Sequence, residues 1–296
     1  MKCEFILNVG LKNMNKNQQL MDFLPPLSNF WNEKSGTFTS YRINQSQVES
    51  TERPALVFLH GFNGSSKSWA CQFGHFTSQT VIAIDAPGFG ESQSIDGGMV
   101  AIADEVAALI TSLVTGKVVI IGHSMGGMLA QVLGATHPDI CQAIILSCTH
   151  KGRAQPVGSP LGAAVQERIQ QREVMDDASY GALRVGKMLS GKIDPQMMAF
   201  LAAIAGEIRV EGIRCGGFAM QYLDTSPFLE KITAPVAIFT GADDVVVKPD
   251  AAAALKAGLP QARHWLLADV GHAPYCEDAA SFNASIEAFL DKVLAG

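Results

Sequence analysis

Short apolar runs alternate with amphipathic stretches along most of the chain. The runs are rich in Val, Ile and Leu, which is typical of strands buried on both faces of a parallel sheet. Between the later runs lie segments with helical periodicity, at 99–114, 125–136, 250–258 and 279–294. This order predicts a doubly wound, mostly parallel α/β sheet with helices on both sides. The predicted strands cover 37–43, 55–60, 81–86, 117–123, 143–148, 235–241 and 263–269.

Two segments depart from this alternation. Residues 151–227 show no strand pattern, only helical stretches such as 161–175, 178–190 and 195–210. They predict a helical lid inserted into an α/β core that comprises residues 36–150 and 228–296. Residues 1–35 are rich in Asn, Gln and Lys and have no sustained period, so we expect a loosely ordered leader there.

Composition and charge narrow the class of protein. The 296 residues are 48% hydrophobic and carry a net charge of −6, which fits one large globular unit and disfavours a nucleic-acid partner. The predicted lid holds nine Lys/Arg and eight Asp/Glu, a balance of +1, so the remainder carries −7. No apolar run is long enough to predict a membrane span. The six cysteines form no metal-ligand or disulfide pattern, and with a poor secretory signal they favour a cytoplasmic location without a metal.

The strongest motif for chemistry is Gly-His-Ser-Met-Gly at 122–126. It follows a buried strand and leads into a helix, which is the context of a nucleophile elbow. The two glycines leave room for a tight turn that exposes the hydroxyl of Ser124. The same turn brings the N–H of Met125 to the place where an oxyanion would form.

A serine nucleophile needs a base and an acid that orients the base. His272 lies in the loop after the last strand, at the sheet edge where Ser124 is expected. Asp243 and Asp244 follow the strand 235–241 at that edge, and alternation alone does not decide between them. The loop His-Gly-Phe-Asn-Gly at 60–64 can supply a second oxyanion donor, the N–H of Phe62.

Five motifs together carry a resemblance to a known family. They are HGF at 60–62, DAPGFGES at 85–92, GHSMGG at 122–127, GADD at 241–244 and GHAPYCED at 271–278. The chain resembles the alpha/beta-hydrolase superfamily, in particular its esterases and lactonases with a lid. The resemblance implies Asp244 as the acid and the N–H groups of Phe62 and Met125 as the oxyanion hole, and it implies no cofactor. Pro249 follows Asp244 by five residues where four is more usual in the family.

These motifs predict a serine hydrolase that cleaves a small carboxylic ester or lactone. Enol-lactone hydrolysis and carbon–carbon bond hydrolysis remain open, since such members of the superfamily share the triad and the lid. A non-catalytic protein that binds a small molecule is a further alternative. The sequence does not indicate an oligomeric state.

The residues that contact the substrate are predicted from composition alone. Apolar side chains near the elbow and in the lid, Trp69, Met188 and Met220, are candidates for the pocket wall, since Met adapts to irregular ligands. Lid arginines are candidates for an anionic group on the substrate, although most are expected on solvated helix faces. They are Arg168, Arg172, Arg184, Arg209 and Arg214.

Overall fold

An eight-stranded sheet forms the centre of the molecule. The computed structural model describes residues 16–44, 53–189 and 193–294. The strand order is β1-β2-β4-β3-β5-β6-β7-β8, in which β3 to β8 run parallel and β1 and β2 are antiparallel to their neighbours. This architecture confirms the predicted α/β class. The strands are β1 (Leu27–Asn32), β2 (Thr37–Asn44), β3 (Leu56–Leu59), β4 (Val81–Ile84), β5 (Val118–His123), β6 (Cys141–Ser147), β7 (Val236–Gly241) and β8 (Arg263–Leu267).

Helices cover both faces of the sheet. Every residue of β3, β4 and β5 is buried, as expected for strands between two helical layers. The helices are α1 (Lys16–Asp22), α2 (Ala70–His75), α3 (Gly98–Leu113), α4 (Met125–Thr136), α5 (Ala163–Val174), α6 (Asp177–Val185), α7 (Pro195–Gly206), α8 (Val210–Tyr222), α9 (Ser226–Leu229), α10 (Pro249–Gly258), α11 (Pro274–Glu277) and α12 (Ala279–Leu294). None of the described helices is both long and apolar enough to cross a membrane.

The expectation of a loosely ordered leader is wrong for its described part, residues 16–35. β1 pairs with β2 along its whole length, with Phe30 opposite Thr39, and α1 packs on α7 through the buried Leu20. β1 is an edge strand whose residues alternate between exposed and half-buried positions, so it lacks the apolar run that marks the central strands. Residues 1–15 of the predicted leader lie outside the described residues.

The strand order reverses direction at β3. The chain passes from β3 to β4 on one side, and β5 then pairs with the other side of β3. The loops that follow β3 and β5 therefore diverge at the carboxyl edge of the sheet and leave a crevice between them. Such a reversal is where open α/β sheets bind their ligands.

The helices α5 to α9 form a helical insertion between β6 and β7. Its two ends are held together by an isolated bridge between Gly152 and Asp224 and by the Thr225 N–H, which donates to the Lys151 carbonyl at 2.9 Å. α8 packs so closely over the sheet edge that a Cβ on Gly216 would come within 3.0 Å of the Met125 sulfur. The position of this insertion places its inner surface against the crevice.

Candidate active site

Ser124 lies in the sharp turn between β5 and α4. Its φ of 52° and ψ of −113° are a conformation that L-residues rarely adopt. The glycines on either side make the turn possible, since a Cβ on Gly122 would collide with the Gly126 carbonyl and one on Gly126 with the Leu59 carbonyl. The turn is also anchored to β6, because the Ser124 N–H donates to the Ser147 carbonyl at 2.9 Å.

A line of hydrogen bonds joins Ser124, His272 and Asp244. The hydroxyl of Ser124 lies 3.0 Å from His272 Nε2, and His272 Nδ1 lies 2.9 Å from Asp244 Oδ2. The side chains of His272 and Asp244 are only 4% and 2% exposed, so water competes little for these bonds. The three residues come from loops after β5, β7 and β8, which meet at one edge of the sheet.

The two adjacent aspartates have different surroundings. Asp244 Oδ1 accepts hydrogen bonds from the N–H groups of Val246 at 2.8 Å and Val247 at 3.0 Å. Burial raises the pKa of Asp244, but its hydrogen bonds to His272 and to these amides outweigh the burial, and the net effect lowers the pKa. Asp243 is exposed, and its N–H donates to the Val270 carbonyl. Asp244 is therefore the carboxylate that contacts His272.

Met125 and Phe62, the residues predicted to supply the oxyanion hole, both lie near Ser124. Met125 is the first residue of α4, so its N–H has no acceptor within that helix, and the positive end of the helix dipole lies beside it. The loop after β3 lies against the elbow, since a Cβ on Gly61 would come within 3.2 Å of Ser124 Cβ. Phe62, the next residue, lines the same cavity as Ser124.

The His123 ring packs between the rings of His272 and Tyr275. Neither His123 nor Tyr275 was predicted as a site residue. Ring centres lie 4.9 Å apart between His123 and His272, and also between His123 and Tyr275. Burial, and after it the charge of His272, lower the pKa of His123 well below its usual value, so this ring stays neutral. Both residues belong to the motifs at 122–127 and 271–278, but nothing in the sequence shows that their rings meet.

A cavity of about 120 Å³ opens beside Ser124 and His272. Met188 and Met220, which the sequence predicts as pocket residues, line it together with Leu201 and Ile204 of α7. The prediction for Trp69 is wrong. Its side chain is fully buried between Phe58 and Tyr275, with ring centres at 4.8 and 4.9 Å, so it packs in the core on the far side of Tyr275 and does not line this cavity.

The five candidate arginines divide into two groups. Arg168 and Arg184 line the cavity. Of the remaining three, Arg172 pairs with Asp177 at 2.7 Å, Arg209 donates to the Gly88 carbonyl at 3.2 Å, and Arg214 is exposed. Two further cations at the cavity, Arg153 and Lys187, were not predicted, because both lie in irregular segments of the helical insertion.

One cluster of the described residues has metal-ligating atoms close together, namely Cys148, Asp244 and His272, whose atoms lie within 4.8 Å of one another. Two of the three are already hydrogen-bonded to each other. Burial, and after it the charge of Asp244, raise the pKa of the Cys148 thiol, whereas a metal ligand would have to be a thiolate. The donor set does not suit a metal ion.

The fold agrees with comparisons to known proteins. The chain belongs to the alpha/beta hydrolase fold family, whose model matches residues 54–279.

Among its relatives is the AB hydrolase superfamily protein YisY of Bacillus subtilis, 26% identical over 79% of this chain and 90% of that protein. The pimeloyl-(acyl-carrier protein) methyl ester esterase of Citrobacter koseri is 26% identical over 83% of this chain and 98% of its own length. The crystal structure of an enol-lactonase from Burkholderia xenovorans has a TM-score of 0.77 at 20% identity and covers 89% of this chain and 100% of its own.

Proposed function

We propose that this protein is a serine hydrolase that cleaves a small carboxylic ester or lactone through an acyl-enzyme on Ser124. The observation that carries the proposal is the continuous line of hydrogen bonds from Asp244 through His272 to Ser124, at 2.9 and 3.0 Å, beside a cavity. Membership of the alpha/beta hydrolase family supports the reaction class, and relatives named as esterases support the ester bond.

In the proposed mechanism, His272 takes the proton of Ser124 while the serine oxygen attacks the carbonyl carbon. Asp244 accepts the Nδ1–H of His272, which holds the ring in the tautomer that leaves Nε2 free to take a proton. The low pKa of Asp244 keeps this carboxylate ionised, so it stabilises the imidazolium that forms. His272 then returns the proton to the leaving alcohol, and a water molecule releases the acid by the reverse sequence.

The charge that develops on the carbonyl oxygen needs donors that are already in place. We assign this role to the N–H groups of Met125 and Phe62, one from each loop at the strand reversal. Loss of one such donor typically lowers turnover by about 100- to 1,000-fold. The helical insertion acts as a lid in this proposal, with Met188 and Met220 forming the apolar wall against which the substrate packs.

The first experiment replaces Ser124 with Ala and measures hydrolysis of p-nitrophenyl acetate. We expect turnover to fall by about 10⁴-fold or more, because the nucleophile is lost. Ser112→Ala is the matched control, since Ser112 lies exposed on α3, and its turnover should equal that of the wild type. Full activity of Ser124→Ala would overturn the assignment.

Two further measurements separate the alternatives within and outside the family. A fluorophosphonate probe should label wild-type protein and leave Ser124→Ala unlabelled, whereas an inert Ser124 in the wild type would indicate a protein that only binds a small molecule. A panel of simple esters, enol-lactones and vinylogous diketones distinguishes the reactions. Preference for the diketones would favour carbon–carbon bond hydrolysis over ester cleavage.

A further inference from the structure

The Lys, Arg, Asp and Glu side chains among the described residues that line the cavity are all cationic. Four cationic side chains line it, and none of the described residues that line it is Asp or Glu. All four come from the helical insertion. Lys187 and Arg153 are exposed, while Arg168 is half-buried and Arg184 is 6% exposed.

Arg184 is buried without full satisfaction of its donors. Its Nη2 donates to Gln171 at 2.7 Å, but the buried Nε has no hydrogen-bond partner within the described part of the chain. Beside it lies Tyr180, whose ring centre is 5.3 Å from the Arg184 guanidinium and whose buried hydroxyl likewise has no partner among those residues. Unpartnered buried donors are uncommon in native proteins and call for an explanation such as an absent ligand.

Arg168 faces the cavity from α5, next to the proposed oxyanion loop. Its guanidinium donates to Asn63 at 2.9 Å and lies 4.9 Å from the centre of the Phe62 ring. Burial, and after it the positive charge of Arg184, lower the pKa of Arg168 to about 10. Two guanidinium groups thus stand close enough to repel each other in a partly desolvated place, and no described carboxylate pairs with either of them.

Arg172, in the same insertion, has different partners. Arg172 also lies against Tyr180, at 5.6 Å, but it has an ion pair with Asp177 and donates to the Ile208 carbonyl. Arg172 therefore has an anionic partner, whereas Arg168 and Arg184 have none among the described residues. An anion in the cavity would accept hydrogen bonds from the guanidinium atoms that line it and would reduce the mutual repulsion of the two groups.

We propose that Arg168 and Arg184 form a binding site for a carboxylate of the substrate. Resting on the proposed function, this inference defines the substrate class as a short ester or lactone that carries a free carboxylate, such as a monoester of a dicarboxylic acid. The guanidinium fork matches a carboxylate, and the apolar wall of Met188, Leu201 and Met220 suits the aliphatic segment between the carboxylate and the ester.

The size of the cavity sets the length of that segment. A cavity of about 150 Å³ holds a benzene ring, so a cavity of about 120 Å³ holds roughly five heavy atoms. In monomethyl glutarate, six heavy atoms lie beyond the ester carbonyl, namely those of three methylene groups and the carboxylate, which is close to this number. Its neutral isostere is the methyl ester of glutaramic acid, in which an amide replaces the carboxylate.

The experiment compares kcat/KM for these two esters. We expect the wild type to prefer monomethyl glutarate, and we expect Arg168→Met and Arg184→Met each to lower this preference by at least about 10-fold, the order of one lost charge-assisted hydrogen bond. Arg184→Lys keeps the charge and should retain part of the preference. Arg214→Met is the control, because Arg214 is exposed outside the cavity, and its preference should equal that of the wild type. Equal use of both esters by all variants, or an equal fall in Arg214→Met, would overturn the inference.

Calorimetry with glutarate separates this inference from the proposed reaction. Ser124→Ala should bind glutarate, and adding Arg184→Met should weaken binding by at least about 10-fold. Glutarate binding without hydrolysis of either ester by the wild type would support the anion site and refute the esterase proposal. Hydrolysis of the neutral ester without glutarate binding would support the esterase proposal and refute the anion site. If Arg184→Met does not fold, Arg168→Met and Arg184→Lys carry the test.

Discussion

The line of Ser124, His272 and Asp244 and the polar groups of the helical insertion beside the cavity are satisfied in different ways. In the line, the two carboxylate oxygens of Asp244, both ring nitrogens of His272 and the hydroxyl of Ser124 all have hydrogen-bond partners within the protein. In the insertion, Arg184 Nε and the Tyr180 hydroxyl are buried and have no hydrogen-bond partner among the described residues.

This difference corresponds to two tasks, catalysis of the reaction and recognition of the substrate. Groups that must be aligned before the reaction begins are held by strand ends and backbone amides, which cost no rearrangement when charge develops. The groups proposed to recognise the substrate gain their hydrogen-bond partners only when the substrate binds. Substitutions at the sheet edge should therefore act on turnover and folding, whereas those in the insertion should act on the choice of substrate.

The largest expected effect is that of Asp244→Asn. Turnover should fall by about 10⁴-fold, since an amide no longer holds His272 in the required tautomer. The neighbouring Asp243→Asn is the control. Asp243 is exposed, so its substitution should leave turnover within about twofold of the wild type, as is usual for surface changes. A loss in Asp243→Asn as large as that in Asp244→Asn would show that the hydrogen bond to His272 is not what matters.

The same pair of variants tests the pH dependence of stability. The pKa of Asp244 is lower in the folded protein than in the unfolded chain, so its ionised form stabilises the fold. That contribution is complete above the unfolded pKa of about 3.9 and is lost as the pH falls through the lower folded value. In urea unfolding, the stability advantage of the wild type over Asp244→Asn should shrink below about pH 4. An advantage that grew on acidification would contradict the pKa shift.

Gly126→Ala should be a strongly destabilising change at the sheet edge. The added Cβ would meet the Leu59 carbonyl, a backbone atom that cannot move without displacing β3. We expect the free energy of unfolding to fall by about 3 kcal/mol or more, as for other overpacked sites. Gly186→Ala is the matched control in the insertion, where the backbone is helical and the nearest atom lies 3.3 Å away. Its effect on unfolding should stay within about 0.5 kcal/mol.

Sequence patterns predicted the sheet edge well because its chemistry imposes local requirements. The Gly-x-Ser-x-Gly turn needs its two glycines, and buried parallel strands need continuous apolar runs, so Ser124 and seven of the eight strands are visible in the sequence. Asp244 required more than alternation, because Asp243 has the same sequence context. In space, the hydrogen bonds of Asp244 to His272 and to two backbone amides distinguish it from the exposed Asp243.

The insertion was harder to predict because its features depend on which helix faces meet. Two predictions failed outside the insertion for a similar reason: Trp69 was predicted as a pocket residue but fills the core, and β1 was not predicted because edge strands bury little. Arg168 and Arg172 stand one helical turn apart on α5, yet one faces the cavity and the other pairs with Asp177. No periodicity separates them, since both lie on adjoining parts of the same helix face.

The smallest expected effect tests the insertion directly. Tyr180→Phe removes a buried hydroxyl that has no partner and keeps the ring beside Arg172 and Arg184. An unsatisfied buried group costs about 1 to 3 kcal/mol, so the ligand-free variant should be more stable than the wild type by about 1 kcal/mol in urea unfolding. The control is Tyr222→Phe, whose hydroxyl donates to the Ser159 carbonyl at 2.6 Å. That variant should lose about 1 kcal/mol, because it removes the shorter of the two hydrogen bonds to that carbonyl. If Tyr180→Phe is stabilised and Tyr222→Phe is destabilised, the hydroxyl of Tyr180 is a buried group without a hydrogen bond. If both variants lose stability, the Tyr180 hydroxyl is already hydrogen-bonded and the two regions do not differ.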